Sequence, residues 1–560
     1  MYRKYLERSE FSSYEDFIDN FKLKTPERFN FAFDVVDAYA GETPDKLALH
    51  WLNDEGGERR FSFGDLKRLS NKAANFFTGL GIKKGDYAML ILKQRHEYWS
   101  CILALHKIGA IAIPATHLLT TKDIIYRNNA ADIKMIVTTG DDQIADSVDA
   151  AQPETPSLTL KVTLAKHRAG WYNYEDGVEN APDAFERPSG DAGTRIDDPM
   201  LLYFTSGTTG LPKMVTHTYE YALDHIITAK YWHNVGEDEL HLTLADSGWG
   251  KFAWGKLYGQ WLCGAPVFAY DYEKFVAANV LRVIEAYGVS TFCAPPTIYR
   301  FFIKENLSAY NFKKLRHCTI AGEPLNPEVY HQFLKATGLK LYEGYGQTET
   351  VLQIANFIWL EPKPGSMGKP SPLYKINISD ESGAVCDAGV KGEITLRVRE
   401  AEKNPGLFTG YYKDDALTAE TIRNGSYHTG DVAWADEDGY IWFDGRTDDI
   451  IKSSGYRIGP FEVESALVTH PAVLECAITA VPHPDRGQIV KATVILAKGY
   501  AASDELAVAL QDHVKKVTAP YKYPRIVEFA DALPMTISGK IRRVQIRERD
   551  QRNNTYTPGT

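Results

Sequence analysis

Cysteine is scarce in this chain. Six lie among 560 residues, at positions 101, 263, 293, 318, 386 and 476, with no Cys-x-x-Cys pair. Neither a zinc site nor a disulfide framework is encoded by such spacing. A reducing cytoplasm is the expected setting. The start, Met1-Tyr2-Arg3-Lys4-Tyr5-Leu6-Glu7-Arg8, carries charges where a secretory signal needs an apolar run. No apolar stretch is long enough to span a bilayer. The most apolar, Cys101 to Ala115, is broken by His106 and Lys107 and reads as a buried helix running into a strand. Basic residues are not in excess either: 63 Lys and Arg face 73 Asp and Glu, for a net charge of −10. No general basic field exists to recruit nucleic acid. No internal repeat is evident.

What is present is an ordinary globular composition, 44% hydrophobic and 24% charged. The length fits roughly two to four domains. Leu66, Leu69, Ala73 and Phe77 have helical spacing, and the pattern ends near Gly79 and Gly81. Tyr87–Leu92 reads as a strand. Helix to Lys107, strand Ala110–Pro114, helix from Thr121 and strand Met135–Thr138 then continue an alternation that predicts an α/β sheet with crossover helices. Positions 151–197, rich in Pro, Asp, Glu and Gly, read as surface structure. From about Gly365 to Phe443, short segments such as Tyr374–Ile378, Glu393–Arg399 and Tyr440–Phe443 alternate with turns, which predicts a β-rich subdomain. Past Gly445-Arg446-Thr447-Asp448-Asp449 lies a compact α/β unit of about a hundred residues. It holds a helix after Pro460, strands near Cys476–Val481 and Val490–Leu496, and a helix capped by Ser503 with Leu506, Leu510, Val514 and Val517 inward.

One loop carries chemistry. In Thr205-Ser206-Gly207-Thr208-Thr209-Gly210-Leu211-Pro212-Lys213, four hydroxyl residues and two glycines fill the first six positions, and a lysine follows. Glycines expose backbone N–H groups, and hydroxyls and a lysine add donors and charge, which suits a polyphosphate. The usual phosphate loop sets Gly and Lys side by side before Ser or Thr, and here Leu211 and Pro212 intervene. Taken alone, such a stretch is most often just a loop.

Four further stretches stand in order behind it. They are Tyr345-Gly346-Gln347-Thr348-Glu349, Tyr427-His428-Thr429-Gly430-Asp431, Gly445 to Lys452 running into Ser453-Ser454-Gly455-Tyr456-Arg457, and Ser538-Gly539-Lys540. Together with Thr205–Lys213 they resemble the adenylate-forming superfamily of acyl-CoA synthetases, nonribosomal adenylation domains and firefly luciferase. The match runs from about residue 30 to 548. Asp246-Ser247-Gly248-Trp249, Ala294-Pro295-Pro296-Thr297-Ile298-Tyr299-Arg300 and Ala519-Pro520-Tyr521-Lys522-Tyr523-Pro524-Arg525 resemble the medium-chain acyl-CoA synthetase branch, and also archaeal-type synthetases of short or branched acids.

The resemblance implies a large α/β N-terminal domain over 1–446 with its β-rich subdomain at about 365–445, and a small mobile α/β C-terminal domain over 447–560, turning at Asp448. It implies ATP, Mg²⁺ and CoA. Thr205, Ser206, Gly207, Thr208, Thr209, Gly210 and Lys213 would hold phosphates. Gly322, Glu323, Pro324 and Tyr345 would frame adenine, with Gly346, Gln347 and Thr348 beside it. Asp431 would accept ribose hydroxyls, Glu349 would hold the metal, and Arg446 and Arg457 would reach ribose or phosphate. Lys540 would bridge the acyl carboxylate and the α-phosphate, so that Lys540, Glu349 and Arg457 are the catalytic set. Ser454, Gly455, Tyr456, Arg486, Lys515, Tyr523 and Arg525 would meet CoA after the domain turns.

Each of these has a plain reading as well. Glu349 could cap a helix, Asp431 could cap a turn, and Lys540 sits in a basic run with Arg542 and Arg543. His217 and His225, eight apart, are poor metal ligands and better packing residues. Trp249, Phe252, Trp254, Tyr258 and Trp261 are dense enough to be core, with two or three left for an acyl pocket. Acetate-specific relatives carry Trp where Gly346 stands, so the resemblance implies room beyond acetate. Trp249, Lys251 and Trp254 are the other pocket candidates. A lone buried Lys251 would be costly, so in the pocket it must be hydrated or paired, which admits an acid with a second oxygen.

The expected activity is an acid–thiol ligase for short or medium, including branched, acids of three to about six carbons. The alternative is an enzyme that releases acyl-AMP or loads a carrier protein. A catalytically dead scaffold is disfavoured by the presence of Glu349, Asp431, Arg446 and Lys540. The expected partners are the acid, ATP and CoA, with neither nucleic acid nor a membrane span. A homodimer is allowed but not demanded.

Overall fold

A computed structural model describes residues 1–205, 211–398, 404–535 and 541–552. Four sheets organise them. A seven-stranded sheet runs, in spatial order, Tyr172–Asn173, Leu160–Thr163, Met135–Thr138, Tyr87–Ile91, Ile111–Pro114, Pro199–Thr205 and Lys213–Thr218. Its pairings are parallel except the last, where Lys213–Thr218 returns antiparallel on Pro199–Thr205. A nine-stranded sheet has a parallel centre that includes Thr291–Ala294, His317–Ile320 and Leu341–Tyr345. A five-stranded antiparallel sheet spans Ile376–Ser379 to Ile441–Arg446. A second five-stranded sheet, built from Ile451–Ser453 to Ile526–Phe529, forms the small C-terminal domain.

The helix–strand alternation follows from local signals. Phe63–Gly79 opens with a reciprocal capping box between Ser62 and Asp65, and Thr121–Ala131 with one between Thr120 and Asp123. Leu66, Ala73 and Phe77 face inward. Glu97–Ile108 is buried from Tyr98 to its end, the mark of a helix covered on all sides. Gly109, at φ 81°, ends it in the left-handed conformation that glycine tolerates best, and strand Ile111–Pro114 follows. Lys107 survives in this interior because its Nζ donates to Asp37 Oδ1 at 2.8 Å and Asn71 Oδ1 at 2.6 Å. Burial still pulls its pKa down to about 8.

Two expectations need correction. The segment 151–197 is more than surface. It contributes the fully buried strand Leu160–Thr163 and the short strand Tyr172–Asn173 to the seven-stranded sheet. The alternation Leu158, Leu160, Val162 and Leu164 was the signal for the first of these, set inside a segment otherwise rich in Pro, Asp, Glu and Gly. Val517 is not inward either. It ends helix Asp504–Val517 at 51% exposure, past the packed face set by Leu510 and Val514. Ser503 does cap that helix, its side chain accepting from Leu506 N. The aromatic cluster divides: Phe252, Trp254, Tyr258 and Trp261 are buried, and Trp249 is half-buried at the mouth of helix Gly250–Lys256. Among the described residues, no helix is long and apolar enough to cross a membrane.

Candidate active site

Strand Lys213–Thr218 is held on both sides. Pro199–Thr205 pairs with it on one edge, with Thr205 opposite Lys213. On the other edge, Thr409 N donates to Thr216 O at 3.1 Å and Tyr412 N to Met214 O at 2.8 Å. Thr205 and Lys213 therefore mark the two stems of the loop. Ser206, Gly207, Thr208, Thr209 and Gly210 lie outside the described residues. So do Ser538, Gly539 and Lys540, which are flanked by an antiparallel bridge between Met535 and Ile541.

The second edge brings Tyr411 to Glu349. Tyr411 Oη donates to Glu349 Oε1 at 2.8 Å, and Lys213 Nζ stands 5.0 Å over the Tyr411 ring. Burial, then the Glu349 charge, keeps this phenol protonated far above its usual range. Tyr411 escaped the sequence reading because it follows a Gly-rich turn and belongs to none of the motifs. His217, buried on the same strand, donates from Nε2 to Thr348 O at 2.7 Å. It packs, as expected, and it also ties the strand to the Gln347–Glu349 segment.

Asp431 is 5% exposed and already bonded on both oxygens. Its Oδ2 accepts from Tyr345 Oη at 2.5 Å and from Gln347 Nε2 at 2.7 Å. Its Oδ1 accepts from Arg446 Nη1 at 3.2 Å. Tyr427 Oη fixes Gln347 by donating to its Oε1 at 2.6 Å. Arg446 Nε lies 3.5 Å from Asp448 Oδ1, so one guanidinium serves both Asp431 and Asp448. Burial alone would lower the Arg446 pKa, but Asp431, Asp448 and Tyr345 outweigh it and hold the guanidinium above its usual range.

The Gly322–Pro324 turn uses a φ of 106° at Gly322, a left-handed conformation costly for other residues. Glu323 Oε2 accepts from Thr297 Oγ1 at 3.0 Å. Lys251 Nζ donates to Ala321 O at 2.7 Å, so Lys251 is paired with backbone beside this turn. Glu343, unmarked by the sequence, braces the same segment by accepting from Leu325 N at 3.2 Å. Burial pushes its carboxyl up to about 8.

Next to the turn, Gly344 of strand Leu341–Tyr345 and Gly346 just past its end face indoles. A Cβ on Gly344 would meet Trp232 at 2.6 Å, and one on Gly346 would meet the Trp254 ring at 2.5 Å. The two indoles stand edge to face, their centroids 6.2 Å apart. The volume vacated at position 346 is thus filled by Trp254 from a different helix.

The CoA candidates gather on the C-terminal domain. Ser454, at φ 50°, and Gly455, at φ 85°, form the turn between Ile451–Ser453 and Tyr456–Ile458. Arg486 Nη1 donates to Ser454 Oγ at 3.1 Å. Lys515 and Arg525 lie 4.4 and 4.8 Å over the Tyr523 ring. Tyr456 stacks on Tyr521 at 4.1 Å, and both rings are exposed. Arg457 is not brought to the nucleotide residues. Its Nη1 donates to Glu381 Oε1 at 2.8 Å on an exposed hairpin of the β-rich sheet.

Comparison with known proteins agrees with this geometry. The profile of AMP-binding enzymes matches residues 36–412, and that of the AMP-binding enzyme C-terminal domain matches 462–540. Mouse (Mus musculus) acyl-coenzyme A synthetase ACSM3, mitochondrial, is 43% identical over 550 residues, covering 96% of this chain and 94% of its own. Anthranilate CoA ligase AuaEII, solved with anthranoyl-AMP, superposes with a TM-score of 0.85 at 28% identity, covering 95% of this chain and 99% of that one. The acyl-CoA synthetase of Brucella canis gives a TM-score of 0.73 at 31% identity over 97% and 100%. The mouse relative is named as mitochondrial, and that overturns the cytoplasmic expectation. The charged first residues spoke only against a secretory apolar core, and free cysteines suit any reducing compartment. With two family profiles in register and a full-length relative at this identity, the chain belongs to the AMP-binding, adenylate-forming enzyme family.

Proposed function

We propose that this chain is an AMP-forming acid–CoA ligase for short or medium, straight or branched, carboxylic acids. The observation that carries the reading is one connected constellation: Lys213, Tyr411 and Glu349 on one side, and Gln347, Asp431 and Arg446 on the other, joined through the single segment Tyr345–Glu349. Nothing in it is a strong base, and none is needed. A carboxylate oxygen attacks the α-phosphorus, and the bond to the bridging oxygen of pyrophosphate breaks. Charge on phosphoryl oxygens is the problem to solve, and positioning with fixed positive charge solves it. In this reading the Thr205–Lys213 loop steadies the departing pyrophosphate, Asp431 takes the ribose hydroxyls, and Lys540 accompanies the reacting oxygens. In the second step the CoA thiol gives up its proton to solvent, its sulfur attacks the acyl carbonyl, and AMP leaves with the electron pair of the broken C–O bond.

The residues fit magnesium. Glu349 offers one carboxylate with an oxygen still to share, and among the described residues no cluster of three or more His, Cys, Asp or Glu forms an all-protein cage. Magnesium favours that arrangement, keeping waters and substrate phosphates as its other ligands. When bound, it would neutralise charge on the phosphate oxygens.

In this reading Trp254, seated against Gly346, limits the acid's length. Release of AMP should be measured with straight acids of two to ten carbons, branched acids and palmitate, with CoA present. Acids of about three to six carbons should lead and yield a thioester. Palmitate leading would sink the size argument, acyl-AMP accumulating without thioester would favour the carrier-loading reading, and no acid-dependent pyrophosphate from any acid would revive the scaffold.

A further inference from the structure

Glu323 of the adenine turn belongs to a polar chain that leaves its own domain. Thr297 Oγ1 donates to Glu323 Oε2 at 3.0 Å and accepts from Arg300 Nη2 at 2.7 Å. The same Nη2 stands 3.8 Å from Glu323 Oε2 and 3.9 Å from Glu475 Oε1. Arg300 lies on helix Pro296–Phe302 beside the nine-stranded sheet, while Glu475 lies on strand Val473–His483 of the C-terminal sheet. Three residues past Glu323, Asn326 Nδ2 donates to Ser465 O at 3.3 Å, a second contact between the turn and that domain. Asn326 is itself fixed, since its Oδ1 caps helix Pro327–Thr337.

The charges make Arg300 necessary. Glu323 and Glu475 approach the same point, and two carboxylates there repel. Burial raises the Glu475 carboxyl above its usual range, and Glu323 and Glu464 push the same way while Arg300 opposes them. Arg300, Glu323 and Glu475 side chains are 28%, 29% and 26% exposed, so water screens them only in part.

We propose that Arg300 is a positioning residue that docks the C-terminal domain, through Glu475, onto the adenine turn, through Glu323, for the adenylating step. This rests on the two-step reading above. The step is identified by the opposite end of the domain. Ser454, Gly455, Tyr456 and Arg457 are exposed here, with Tyr456 stacked on Tyr521 and Arg457 bonded to Glu381. The hairpin assigned to thiol delivery is therefore turned away from the nucleotide residues while Glu475 is turned toward them. Rotation about Asp448 would part Glu475 from Arg300 and leave Arg300 with Thr297 and Glu323.

The test uses the full chain with Glu475→Gln, Glu475→Lys, Arg300→Lys and Arg300→Ala. Three quantities are read: acid-dependent pyrophosphate release, thioester formation from supplied acyl-adenylate, and solution scattering. Glu475→Lys should lower kcat for pyrophosphate release about 5- to 10-fold with KM for ATP unchanged, the scale of a partly exposed pair turned repulsive. Glu475→Gln should lose about 2- to 3-fold, and Arg300→Lys less than that, since it keeps the charge. Arg300→Ala should also raise KM for ATP, because Glu323 loses its brace. Thioester formation should be undiminished in every Glu475 variant, and the Glu475→Lys radius of gyration should rise. Equal loss in both half-reactions, or no loss in Glu475→Lys, overturns the proposal. A wild-type chain that releases no pyrophosphate with any acid sinks the ligase reading instead.

Discussion

Asp431 and Arg446 are register partners on neighbouring antiparallel strands, and the guanidinium reaches the carboxylate at 3.2 Å. A ribose that hydrogen-bonds to Asp431 meets a carboxylate already shared among Arg446, Tyr345 and Gln347. Asp431→Asn removes the charge that holds this set together. Hydrogen bonds involving a charged group contribute about 1.5–3 kcal/mol, so KM for ATP should rise roughly 10- to 100-fold. Steady-state pyrophosphate release at varied ATP checks this, and an unchanged KM would remove Asp431 from the nucleotide site.

Tyr411 reaches Glu349 through its hydroxyl alone. Tyr411→Phe should leave the fold intact, since the ring still packs on Phe408 at 4.9 Å. The freed carboxylate should then orient poorly. Half-maximal activity should need roughly tenfold more magnesium, on the scale of one hydrogen bond to a charged group, about 1.5 kcal/mol. Titrating magnesium at saturating ATP measures it.

Trp254 and Gly346 compete for one space. Gly346→Ala should cut activity on five- and six-carbon acids more than on propionate. Trp254→Leu should shift preference toward longer acids. Truncating a buried indole to alanine costs about 3–5 kcal/mol, so leucine is the better probe. Relative kcat/KM across the acid series decides it, and a uniform loss at every chain length would place Trp254 in the core only.

Glu343 gives a pH signature. Its folded pKa, about 8, lies above the unfolded carboxylate value. Below the unfolded value both states hold the proton. Between that value and about 8, only the folded state holds it, so unfolding releases a proton and stability falls as pH rises. Above about 8 the slope from this group vanishes. Glu343→Gln keeps an acceptor for Leu325 N and should flatten the decline of denaturation midpoint over that window. An unchanged slope would show that Glu343 is ionised in the native state.

Much of this was legible from residues that act locally. Ser62, Thr120 and Ser503 announce helix starts because capping depends on three or four neighbouring residues. The stretch from Cys101 to Ala115 gave away a buried helix and strand because its apolar character is continuous. The family resemblance was legible because Glu349 and Asp431 each sit in a dense local pattern. Tyr411, Glu343 and Arg300 were not. Each acts through a partner brought near by sheet pairing or domain contact, and nothing beside them in sequence records the partner. The strand Leu160–Thr163 had a local signal, the alternation of Leu158, Leu160, Val162 and Leu164, but the composition of the wider segment masked it.

The seating of Trp254 on Gly346 sets an order on change. A larger side chain at position 346 meets both the Trp254 ring and the Val351 carbonyl oxygen, so shrinking 254 clears only one of the two obstacles, whereas a smaller residue at 254 is compatible with glycine at 346. Lineages or libraries that alter chain-length preference in this scaffold should therefore pass through 254 first, and a search that varies 346 alone should return only inactive or narrower enzymes.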